Sequence, residues 1–245
     1  LKPESIVGGA DRALYVLATL ARNERPVSIA ALAAQTELAQ STLYRQIALL
    51  KRWGFVLEQS GQYGPGPLCV QLARSFDQSS FLIRESQDDM MRLAAESGES
   101  VGLLIALKDQ AVCLDMIESQ HPLRCSFVKG RGLPLAQGAS AKSLMAFMPP
   151  ERRQACLRDL GQTGFDTTVL ARELTAIRER GYATSDSEVD AGVWGVAAPI
   201  FLSPTRALAS ITLMAPSTRA ANRATQLVAL TVAAAARISS RLTAH

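Results

Sequence analysis

Only His121 and His245 supply imidazole in this 245-residue sequence, which already narrows its chemistry. A zinc site or a histidine-based nucleophilic triad needs imidazoles converging with other ligands, and two such residues make either hard to assemble. The four cysteines, Cys69, Cys113, Cys125 and Cys156, form no C-x-x-C pair. They are too sparse for a disulfide scaffold, so reduced thiols are expected. Asp186, Glu188 and Asp190 cluster, but loop carboxylates at that spacing are ordinarily solvated. No G-x-S-x-G elbow, P-loop or G-x-G-x-x-G after a strand is present. No metal and no cofactor is expected, and catalysis by the C-terminal half is the least favoured reading.

Recognition chemistry is better represented. In 40–53, Leu43, Ile47 and Leu50 recur at i, i+4 and i+7, one buried stripe of a helix. With that stripe inward, Gln40, Ser41, Thr42, Arg45 and Gln46 point outward and Tyr44 lies between. Short polar side chains and an arginine suit base edges in the major groove. Arg45 could hold guanine bidentately, worth roughly 1–3 kcal/mol of discrimination, and Thr42 could meet a thymine methyl or a phosphate. Ser28 stands as N-cap before a short helix at 29–33, where outward N–H groups suit a phosphate. Arg12 and the pair Gln62 and Tyr63 are weaker candidates for backbone contact. A polar helix face with one arginine is as often simply solvated, so the surrounding elements carry weight.

Those elements read as helix, helix, helix and two-stranded wing. Segment 11–23 places Leu14, Leu17 and Leu20 on one face, and Arg25-Pro26 ends it. Residues 37–39 connect tightly into 40–53. Gly54 stops that helix, 55–58 is a strand, Gln59-Ser60-Gly61 a turn, and Gln62-Tyr63 the return arm. The expected divisions are a winged helix-turn-helix at 1–65, a linker helix at 66–79 and a second domain at 80–245. Leu68, Leu72 and Phe76 line one face of the linker and would meet either a second copy or their own domain. Beyond it, Leu82, Met90 and Leu93 mark a helix. Strands are expected at 100–107, 111–118, 124–128, 182–185, 195–202 and 207–214, and helices at 140–147, 150–159, 168–180 and 217–242. Ser203-Pro204-Thr205 signals a hairpin. The fold class is α+β.

A composition of 48 % apolar and 20 % charged residues is ordinary for folded domains, and the net charge of +4 permits nucleic-acid binding without demanding it. The longest apolar run, around 227–236, is alanine-rich and too short to cross a bilayer, and no leader pattern opens the chain. A cytoplasmic location is expected. The sequence begins at Leu1 rather than methionine, as expected if residues precede it.

Several ordered motifs resemble the IclR family of bacterial transcription regulators. They are Asp11-Arg12-Ala13-Leu14, Leu32-Ala33, Ser41-Thr42-Leu43-Tyr44-Arg45 and Gly54-Phe55-Val56, then Leu133-Pro134-Leu135 with Lys142 eight residues after the proline. Ile177-Arg178, Gly181-Tyr182-Ala183, Asp186 with Glu188, and Val196-Ala197-Ala198-Pro199-Ile200 follow. The resemblance implies a GAF-like effector domain, mainly antiparallel sheet flanked by helices, and a dimer or tetramer on near-palindromic operator DNA. It places the effector near Pro122, Ala139, Ser140, Ser185, Gly195, Thr212 and Met214. Positions that are polar or thiol-bearing in acid-binding members are here Gly195 and Met214; an acidic one is Ser185, and the histidine after the proline is Ala136. With Leu123, Phe127, Val193 and Trp194 nearby, the implied pocket suits an apolar or aromatic effector. The expected function is a ligand-released repressor of an efflux or catabolic operon. An activator of a catabolic operon responding to a small organic acid is the alternative.

Overall fold

The first helix buries its small side chains rather than all its leucines. In a computed structural model describing residues 8–203 and 206–244, α1 (Gly9–Ala21) turns Ala13, Val16, Thr19 and Leu20 inward. Leu14, expected on the core face, is 63 % exposed. The i, i+3, i+7 row runs through Ala13, Val16 and Leu20, and Leu14 sits one residue off it.

The chain divides into two units, Leu1–Ser80 and Phe81–His245. In the first, β1 (Val27–Ser28) leads into α2 (Ile29–Thr36) and α3 (Gln40–Arg52), then β2 (Val56–Gln59), β3 (Gln62–Pro65) and α4 (Pro67–Ser79). The wing has three strands, in the order β1-β3-β2, not two. Residues 27–28 are too short to show a period in sequence, yet they pair with Tyr63 and Gln62. Ser28 also caps α2, its Oγ accepting from the N–H of Ala31 at 3.2 Å. Leu20, Leu32, Leu43, Ile47, Leu50 and Val56 form the core of this unit.

The second unit runs α5 (Phe81–Ser97), β4 (Ser100–Leu107), β5 (Gln110–Ile117), β6 (Gly132–Pro134), α6 (Ala139–Phe147), α7 (Pro150–Gln162), α8 (Thr167–Arg180), β7 (Ala183–Asp186), β8 (Val193–Ser203), β9 (Arg206–Pro216), α9 (Ser217–Ala220) and α10 (Ala224–Thr243). Its six strands pair antiparallel in the order β6-β5-β4-β9-β8-β7. One sheet face packs Leu103, Ile211 and Leu213 against Met90 and Leu93 of α5 and Ile238 of α10. The other packs Leu104 and Ala197 against Met145 of α6 and Leu174 of α8. The strand expected at 124–128 is absent: that segment is irregular, and the sheet edge is β6 instead. The helix expected at 217–242 is broken between α9 and α10. In the hairpin signal, Pro204 and Thr205 lie outside the described residues.

The first face is clamped by a buried carboxylate. Asp89 on α5 accepts from Arg237 and Arg241 of α10. Burial alone would push its carboxyl up, but the two guanidinium partners outweigh that and hold it below the ordinary value. The resulting stabilisation is present above the unfolded carboxyl's pKa of about 3.9 and is lost as pH falls through the lower folded value. Asp89→Asn is expected to lower the urea midpoint at pH 7 and to narrow its difference from the parent protein below about pH 4. Parallel curves across that window would show that Asp89 carries no such linkage.

Candidate functional site

On α3, the buried stripe leaves one side open. Gln40, Ser41, Tyr44 and Arg45 are exposed, and Thr42 is half-buried. Gln46, expected outward, is 4 % exposed, because it falls three residues after Leu43 and four before Leu50, on the edge of the stripe. Ala39 at the N-cap offers no side-chain hydrogen bond to the first turn. Ser28 and Arg12 are half-buried. Tyr63, expected at the wing surface, is buried in the core beside Val27 and Val56, since its side of β3 faces the helices; Gln62 next to it is exposed. Lys51 is engaged by Glu58 of β2.

The second unit holds a cavity of about 560 Å³ between the sheet, the N-terminal end of α6 and the loops 118–131 and 187–192. Strand register explains which residues meet there. Met214 on β9 pairs with Gly195 on β8, which pairs with Ser185 on β7; Thr212 lies two residues along from Met214 on the same face. Leu123, Phe127, Ala139, Ser140, Ser185, Val193, Gly195, Thr212 and Met214 all line the cavity. Trp194 does not: it alternates to the opposite face and is buried in the α5–α10 core. Pro122 is not part of the lining either.

Two missing side chains shape the space. A Cβ on Gly102 would come within 2.9 Å of the Phe127 ring, so only glycine lets that ring settle on β4. A Cβ on Gly195 would stand 3.3 Å from Ser185 Oγ and 3.7 Å from the Ala139 methyl.

The buried polar groups of the lining are neutral. Thr212 Oγ1 donates to Ser140 Oγ at 3.0 Å, and Ser185 Oγ accepts from the Ala139 N–H at 3.0 Å. The charged lining residues, Arg124, Arg131 and Asp190, are all exposed. Arg124 pairs with Glu118 at 2.9 Å, whose carboxyl is held low first by the Ser126 hydroxyl and then by Arg124. Burial pushes the Cys125 thiol up, keeping it protonated. Behind the cavity, Lys142 is 3 % exposed and donates to Glu173 and Glu188 at 2.6 Å each. Glu188 also accepts from the Gly138 N–H at 3.0 Å, so it anchors the 187–192 loop while staying exposed. Gly138 takes φ +83° there, with Val189 against it.

Sequence reasoning missed Leu104, Gln137, Val189 and residues 190–192 as lining residues. Nothing in their types or spacing distinguishes them, because the fold rather than a motif gathers them. Among the described residues there is no His/Cys/Asp/Glu group suited to a metal ion. No helix there is long and apolar enough to cross a membrane.

A helix-turn-helix followed by a cavity-bearing sheet domain is the layout of a transcription regulator, and comparison with known proteins agrees. Residues 9–60 match the IclR helix-turn-helix domain, and residues 78–241 match the C-terminal domain of the bacterial transcriptional regulator IclR. The chain belongs to the IclR family: it is a DNA-binding transcriptional regulator, not an enzyme.

It is 26 % identical over 239 residues to the transcriptional repressor IclR of Escherichia coli, covering 93 % of this chain and 87 % of that one. It is 30 % identical over 218 residues to the regulator TtgV of Pseudomonas putida, covering 86 % and 83 %. The fold matches an IclR-family regulator from Brucella abortus with TM-score 0.85 at 21 % identity, covering 96 % and 92 %. It also matches an IclR homolog from Microbacterium hydrocarbonoxydans complexed with 4-hydroxybenzoate, with TM-score 0.73 at 20 % identity, covering 97 % and 100 %. Identities of this size to several regulators do not by themselves single out a TtgV-like role.

Proposed function

We propose that this regulator is a repressor released from its operator when a neutral apolar or aromatic molecule enters the cavity. The operon it controls is one for efflux or catabolism, and the protein works in the cytoplasm. The cavity carries this reading: its buried lining is apolar or hydroxyl-bearing, and its charged side chains stay at the mouth. A desolvated carboxylate would need a buried cationic partner, whereas a flat apolar ligand would meet Phe127, Leu104 and Met214. The Microbacterium relative, complexed with 4-hydroxybenzoate, supports an aromatic ring as occupant; the absence of a buried cation from the lining, among the described residues, is what favours a neutral one here.

On the DNA side, Arg45, Ser41, Thr42, Gln40 and Tyr44 contact the operator, and Ser28 meets a phosphate at the start of α2. The winged helix ends at the turn before α4, α4 is the linker, and the remainder is the sensor. Exposed apolar residues of the first unit, Leu14 and Leu72 among them, support assembly into a dimer or tetramer that places two copies of α3 one DNA turn apart.

Calorimetric titration tests the ligand class directly. Phenol, indole and toluene are expected to bind, while acetate and lactate are not; the reverse pattern defeats the reading. Phe127→Ala is expected to weaken the tightest of these interactions roughly tenfold through loss of its ring contact. Equal titrations of parent and variant would remove Phe127 from the site.

A further inference from the structure

The loop that covers the cavity is held at its far end by β5, where the Gly130 N–H donates to the Cys113 carbonyl at 2.8 Å, while its first part is fastened to the turn at 97–100. Ser119 donates from Oγ to the Gly98 carbonyl at 2.6 Å, and its N–H donates to Ser100 Oγ at 3.0 Å. Further along the loop, the carbonyl of the cavity-lining Leu123 accepts from Arg219 Nη1 at 2.9 Å. The same guanidinium forks onto Glu99, Nε to Oε1 at 2.8 Å and Nη2 to Oε2 at 2.7 Å. Arg223, four residues on, donates from Nη2 to the carbonyl of Ser97 at 3.0 Å. The bonds of Ser119, Arg219 and Arg223 converge on 97–100, where α5 hands the chain to β4. At its other end α5 is separated from α4 by Ser80 alone.

Glu99 is buried, and a buried carboxylate is costly without its cation. Arg219 therefore stays on Glu99 whatever the loop does. Its fork is planar and rigid, so a shift of the Leu123 carbonyl either breaks the third hydrogen bond or drags the turn with it. We propose that Arg219 is the positioning residue through which the state of the cavity loop reaches α5, the helix next in sequence to the DNA-reading unit. As a signal of ligand binding, this rests on the cavity being the ligand site. Occupancy of that site biases the loop, and Arg219 extends the bias to the exit turn of α5.

The test is amide hydrogen exchange by mass spectrometry on the full chain as parent, Phe127→Ala, Arg219→Lys and the double variant. Phe127→Ala frees the loop from β4 without any ligand. Lysine keeps a charge on Glu99 but lacks the fork that also holds Leu123. Phe127→Ala is expected to speed exchange at 120–128 in both backgrounds. It should speed exchange at 94–98 about fivefold only where Arg219 is present, a coupling of ordinary size for linked sites.

Equal acceleration at 94–98 in both backgrounds overturns the proposal, and so does none with Arg219 in place. A purely structural Arg219 would raise exchange at 94–98 when replaced, yet leave the response to Phe127→Ala intact. Glu99→Gln combined with Arg219→Gln, which removes both charges, should abolish the response in the same way and serves if the lysine variant folds poorly. Because no ligand is added, a negative result here is separate from failure of the calorimetric titrations, which judge the cavity itself.

Discussion

Arg45→Ala is expected to lower affinity for the preferred operator by about 10- to 100-fold, the range that one lost bidentate base contact allows. Arg45 is exposed on α3 while Leu43, Ile47 and Leu50 hold the helix to the core, so the substitution removes reach without removing packing. Affinity for unrelated DNA should fall far less, because that depends on phosphate contacts and salt. Fluorescence anisotropy at one fixed ionic strength, with an operator enriched from promoter fragments by the parent protein, reads both affinities. Equal losses on operator and random DNA would make Arg45 a phosphate contact, and no loss would take it off the interface. The thermal midpoint should stay within the spread expected of a surface substitution.

Gly195→Leu is the second large effect. Gly195 is the third residue of β8 and lies between Ser185 and Met214 on the neighbouring strands, with its open side toward the cavity. A Cβ there fits within ordinary limits beside Ala139 and is tight against Ser185 Oγ, which has to give by a few tenths of an ångström. The branches beyond it take up the space a ligand would use. Binding of the tightest aromatic found by calorimetry should weaken on the order of 100-fold, equivalent to about 3 kcal/mol of overpacking. The operator complex of this variant should then resist concentrations of the aromatic that dissociate the parent complex. Release at the parent's concentration would place the effector elsewhere.

Much of the DNA-reading unit was legible because helix period and buried stripe coincide there. Leu43, Ile47 and Leu50 repeat at helical spacing, and Ser28 announces the start of α2. The errors share a physical origin in neighbours that sequence does not display. Gln46 is polar by type but buried by phase, and Tyr63 is buried because β1 and β3 turn that side toward the helices.

In the second unit, 124–128 alternates like a strand. Cys125 and Phe127 are its half-buried members while Arg124, Ser126 and Val128 are exposed. What produces that alternation is a loop leaning over a cavity and over Gly102, not a hydrogen-bonded ladder. Trp194 was placed beside its true neighbours in sequence and on the wrong face of the sheet, which a one-residue step along a strand always reverses. The break between α9 and α10 has no glycine or proline to mark it. It became visible only with Arg219 and Arg223 reaching back to the turn after α5.

Photocrosslinking most directly tests whether the open side of α3 enters the groove. The photoreactive amino acid p-benzoylphenylalanine would be placed at position 41 and, separately, at position 70 of α4, each in the otherwise unchanged chain on operator DNA. Crosslinks to operator bases from position 41 and none from position 70 are expected. Crosslinks from position 70 with none from position 41 would show that the protein meets DNA through a different surface.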